Sequence, residues 1–160
     1  MLIVMSIIKL DSVLERAFDL AVKKEGELVL TFVQGGETPS PLSSLLTNSG
    51  FLGEKVQSDV KKTVKKEYNR QAHTILDEIK NIANKKGVKV VETEHLKKNS
   101  LHKCYDLIDD YNIDYLFLNF TNNKIASHTL FEYLSSDFVK NLEIPYEMYM
   151  DGEKQVINTG

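Results

Sequence analysis

Apolar positions along this chain follow two periods in turn. Leu2-Ile3-Val4-Met5-Ser6-Ile7-Ile8 is almost continuously apolar, as a parallel strand covered on both faces should be. From Ser12 the spacing becomes helical: Val13, Leu14, Ala17, Phe18, Ala21 and Val22 share one face. Ser12-Val13-Leu14-Glu15 fits a capping box, and Gly26 supplies a stop. Leu28–Val33 predicts a second strand. A long helix is expected from about Glu54 to Lys86. Its buried stripe is Val56, Val60, Val64, Tyr68, Ala72, Ile75, Leu76, Ile79, Ile82 and Ala83, and Gly87 ends it. Val88–Glu92 predicts strand three, and Ser100 to Tyr111 a helix burying Leu101, Cys104, Tyr105, Leu107 and Ile108. Strand four is expected over Asp114–Phe120. A second capping box at Thr129 opens a helix burying Leu130, Phe131, Leu134, Phe138 and Val139, and strand five runs from Ile144 to Met150.

Strands alternating with helices predict a three-layer α/β/α fold around a parallel sheet. Residues 1–150 read as one domain and 151–160 as a C-terminal tail. The connection 34–53 holds Pro39, Pro41 and several apolar residues, and loops of this length inside a domain are usually functional or mobile.

Composition narrows the function classes. The chain has 160 residues, a formal charge of −3 and 27% charged residues, so no global basic character points to nucleic acid. The opening apolar run has no basic residues before it and no small-residue cleavage site after it, so it reads as a strand rather than a leader. No run is long enough to span a bilayer. The single Cys104 excludes an intrachain disulfide framework and fits a reducing cytoplasm, where the protein is expected.

The order of units resembles the universal stress protein family. The residues that carry this are Ala17 to Leu30 with Gly26 at the turn, Lys86-Gly87-Val88-Lys89-Val90 after a Lys/Glu-rich helix, Asp106 to Leu118, and Ile144-Pro145-Tyr146. The resemblance implies a five-stranded parallel sheet of order 3-2-1-4-5, with a switch point between strands one and four, where open α/β sheets take ligands. It also implies a homodimer through the last strand, with Tyr146, Met148 and Met150 on an otherwise exposed edge. Many members bind ATP at the switch point. Those members end strand one in an aspartate and follow strand four with a Gly-x-x-Gly turn. Here strand one ends in Ile7-Ile8-Lys9, with Asp11 beyond it, and Asn119 and Asn122 sit near the two glycine places.

No glycine lies between Gly87 and Gly152. A phosphate cradle needs glycine for left-handed turns and for close approach of the backbone. ATP binding is therefore withheld from the expectations, and no cofactor is expected. The ligand-binding candidates are Asp11, Asn119, Thr121, Asn122 and Asn123 in an altered cleft; the simpler reading of the turn is one whose Asn and Thr side chains cap their own backbone. His95, His102, Cys104, Asp106 and Asp109 are metal-capable but lack zinc-site spacing, so no metal is expected. Lys61, Lys62, Lys65 and Lys66 form a basic patch without aromatic interleaving, best read as a solvated helix face rather than a nucleic-acid surface. Ser135, Ser136, Asp137 and His128 have hydrolase residue types but no nucleophile elbow, and no catalytic residue is assigned. The expectation is a non-catalytic regulatory or protein-interaction module in stress response; the alternative is a small-molecule or nucleotide binder using an altered switch-point cleft.

Overall fold

A computed structural model describes residues 1–5, 12–34, 54–97, 102–120 and 138–156. Within them the chain forms β1 (Leu2–Met5), α1 (Ser12–Lys23), β2 (Leu28–Gln34), α2 (Glu54–Lys85), β3 (Val90–Lys97), α3 (Lys103–Asp110), β4 (Leu116–Phe120), a 3-10 turn (Val139–Asn141), β5 (Tyr146–Met150) and β6 (Glu153–Gln155). The strand order is β3-β2-β1-β4-β5-β6. The first five strands run parallel in the expected order, and β6 is antiparallel to β5.

Strand alternation divides the core into two layers. Ile3, Met5, Leu30, Phe32 and Phe117 face α1 and α2, where they meet Val13, Leu14, Phe18, Ala72, Leu76 and Ile79. Leu2, Val4, Val29, Val33, Leu118 and Met148 face the other way, onto Cys104, Leu107, Phe138 and Val139. The stripe of α2 buries Ala72, Leu76, Ile79 and Ala83. Val60 is half-buried, and Lys61, Lys62, Lys65 and Lys66 are exposed. The side chains of Val56, Val64 and Tyr68 lie outside the described residues, as does most of the expected helix after Thr129.

Three helices end in one motif. Gly26, Val88 and Ile113 each donate a backbone hydrogen bond to the carbonyl five residues back, on Ala21, Ala83 and Ile108, at 2.9 Å in each case. The preceding residues, Glu25, Gly87 and Asn112, take φ of 51°, 82° and 47°. This is the Schellman arrangement, which returns orphan carbonyls of the last turn to a partner. Gly87 fills the left-handed place as expected. In α1 that place belongs to Glu25, one residue before the expected Gly26.

Three strand expectations are corrected. β3 runs on to Lys97 rather than stopping at Glu92, because β2 offers ladder partners as far as Gln34. Its Thr93, Glu94 and His95 are only half-buried, which an edge strand tolerates. The expected tail contains a strand, β6. As a result β5 is not the sheet edge: Met148, Tyr149 and Met150 pair with Gln155, Lys154 and Glu153. The sheet therefore has six strands rather than five. Residues 157–160 lie outside the described residues.

Candidate functional site

The topology places the switch point between β1 and β4, which pair directly with Met5 opposite Asn119. From β1 the sheet is built outward through β2 in one direction and through β4 in the other, which makes this pair the point where the strand order reverses. Of the candidate ligand residues, Asn119 alone is described. Asp11, Thr121, Asn122 and Asn123 lie outside the described residues.

Asn119 is fully buried, and so is its neighbour Phe120. Alternation with Phe117 puts Asn119 on the α1 and α2 side, between its register neighbours Met5 and Tyr149. Phe120 belongs to the opposite layer. Asn119 and Phe120, which open the Asn119-Phe120-Thr121-Asn122-Asn123 stretch, are thus both buried in the sheet.

The metal-capable residues are dispersed. Cys104 is buried on the α3 layer, where enclosure in apolar surroundings pushes its thiol up to about 12. His102 is exposed just ahead of α3. His95 stacks on Phe32, with ring centroids 5.3 Å apart, and meets the edge of His73 from α2 at 5.7 Å. Desolvation first, then the neighbouring His73 and Lys97, lowers the imidazole pKa of His95. Among the described residues no group of three or more His, Cys, Asp or Glu side chains is arranged to hold a metal ion.

The most developed polar arrangement lies on β5, among residues that are not sequence-predicted site residues. Glu147 is a carboxylate buried beneath α1. Arg16 reaches it with two parallel hydrogen bonds, Nε to Oε2 and Nη2 to Oε1, each 3.0 Å. The Tyr115 hydroxyl donates to Oε1 at 2.8 Å, the Tyr149 hydroxyl donates to Oε2, and Lys154 on β6 lies 3.5 Å from Oε2. Burial pushes this carboxyl upward, but the hydrogen bonds from Arg16, Tyr149 and Tyr115 outweigh it and hold the group at about 2. Desolvation and the same carboxylate push Tyr115 and Tyr149 up to about 12. Tyr115 also carries Lys24 over its ring at 4.8 Å. All these donors converge on one acceptor already present in the chain, so the arrangement is a fastening of α1, the residue entering β4, β5 and β6 rather than an open site. The sequence signal was available: Glu147 sits between Tyr146 and Met148 in an apolar strand, and a charge at an inward position requires partners.

No family model matches the chain, and no curated protein matches it. Among solved structures it is similar to a protein from the universal stress protein family from Burkholderia pseudomallei, with 15% identity, a TM-score of 0.46, and coverage of 92% of this chain and 94% of that one. It is also similar to the universal stress protein from Archaeoglobus fulgidus in complex with dAMP, with 13% identity, a TM-score of 0.49, and the same coverage of 92% and 94%. No helix among the described residues is long and apolar enough to cross a membrane.

Proposed function

We propose that this chain is a non-catalytic regulatory or protein-interaction module of the universal-stress type, one that does not hold ATP in the usual way. The observation that carries the reading is the stretch that ends β4 and follows it, Asn119-Phe120-Thr121-Asn122-Asn123. A phosphate held by backbone N–H groups needs a loop that comes close without side chains in between. Here two residues of the stretch are buried in β4, and each of the other three carries a side chain. Stress response as the setting follows from the family resemblance. A thermal-shift series with ATP, ADP and AMP, each with magnesium, tests the reading. An unchanged melting temperature supports it, and clear stabilisation by micromolar ATP contradicts it.

A second reading rests on the switch point itself. In open α/β sheets the switch point, here between β1 and β4, is where ligands bind. A nucleotide held there through side chains rather than backbone would use Asp11, Thr121, Asn122 and Asn123. If AMP or ATP stabilises the protein, Asn122→Ala should reduce that stabilisation; an unchanged response rules this reading out.

A further inference from the structure

The β5–β6 hairpin closes the sheet edge that pairing between copies would otherwise use. Its turn is Asp151-Gly152, with φ of 52° and 84°. Two consecutive positive φ values define a type I′ turn, whose twist matches that of the flanking strands, and Asp-Gly suits it. The Asp151 N–H donates to the Phe120 carbonyl at 2.9 Å, which ties the turn to β4. Lys154 reaches diagonally across the ladder to Glu147. The new outer strand is three residues long, with Glu153 and Lys154 exposed, and short charged strands resist further pairing.

Without β6, the free edge of β5 would be Tyr146-Glu147-Met148-Tyr149-Met150. That segment is self-complementary about Met148. An antiparallel copy centred there sets Tyr146 opposite Met150 and Glu147 opposite Tyr149, as a two-fold axis requires. The row Tyr146, Met148 and Met150 then continues across the junction on the α3 side of the sheet.

We propose that β6 is an intramolecular cap, and that it competes with the β5 edge of a second copy for the same backbone groups. A strand tethered by a two-residue turn has an effective concentration on the order of millimolar or more. At tens of micromolar protein and equal pairing strength, the tethered strand is favoured over a second copy by at least roughly 20–50-fold. The full chain therefore keeps this edge closed, and pairing through β5 requires β6 to leave.

Sedimentation of three proteins at tens of micromolar tests this: the full chain, a chain ending at Met150, and full-length Gly152→Val. The valine strains a turn position at φ +84° while retaining every residue of β6. The full chain is expected to sediment as a monomer. The shortened chain is expected to dimerise with a dissociation constant at least tenfold lower, with slowed amide exchange at Met148–Met150 in the dimer. Gly152→Val should move the same way by a smaller factor. If the shortened chain does not fold by circular dichroism, Gly152→Val decides alone. A full chain that dimerises as tightly as the variants, or folded variants that stay monomeric, overturns the proposal.

Discussion

The Arg16 guanidinium lies in parallel, two-point contact with the Glu147 carboxylate, joining residues 131 positions apart in the chain. The two ends of the contact differ: the Glu147 side chain is 8% exposed and that of Arg16 58%. Removing the carboxylate charge leaves Arg16 free to hydrate, so the loss should fall below that of a fully enclosed pair. Glu147→Gln should destabilise the fold by about 2 kcal/mol, a fall in melting temperature of roughly 4–8 °C. The difference should depend on pH. The folded carboxyl titrates at about 2, below the ordinary carboxylate value of 4.5. Its contribution is therefore complete above pH 4.5 and fades as pH falls toward 2. Melting curves of both proteins at pH 7 and at pH 2.5 check this, with the gap expected to narrow at the lower pH.

Tyr115 and Tyr149 hydrogen-bond the same carboxylate and should ionise late. Their folded values of about 12 lie above the ordinary 10, so stability is intact below pH 10 and falls as pH rises toward 12. Ultraviolet titration at 295 nm should show a late component, and Glu147→Gln should move that component to lower pH.

Thr31 is fully buried on β2, and its Oγ1 has no hydrogen-bond partner among the described residues. Thr31→Val keeps the shape and removes a polar group from an apolar layer. It should be neutral or stabilising by up to about 1 kcal/mol in urea unfolding. A loss of more than about 1 kcal/mol would show that the hydroxyl has a partner that matters.

His95, packed between Phe32 and His73, should titrate below the ordinary imidazole value of 6.5. Its folded pKa is depressed, so the folded state is favoured above pH 6.5 and loses stability as pH falls through that range. A proton-NMR titration of the imidazole C2–H of His95 gives the midpoint directly, and His73→Phe should raise it.

The parts of the fold legible in the sequence are those where burial imposes a period. Val13, Leu14, Ala17 and Phe18 mark the inner face of α1, and Ala72, Leu76, Ile79 and Ala83 that of α2. The all-apolar β1 and the mostly apolar β2 and β4 mark the centre of the sheet, and the family resemblance implies their order. What escaped has little apolar content. Glu153-Lys154-Gln155 carries no apolar residue, so its strand is set by the Asp151-Gly152 turn and by the open edge of β5. The end of β3, Thr93 to Lys97, is held by its ladder with β2 rather than by its own composition. The role of Glu147 is not legible in sequence because its partners Arg16 and Tyr115 lie far away along the chain. At the switch point Asn119, a ligand candidate by sequence, lies buried between Met5 and Tyr149, a placement that only the register reveals.

The most direct measurement is an amide chemical-shift titration with magnesium ATP, followed at Met5, Asn119 and Phe120 on the two switch-point strands. The reading proposed for this chain predicts no saturable shift at these positions up to millimolar nucleotide. A saturable shift centred there with a micromolar midpoint would contradict it.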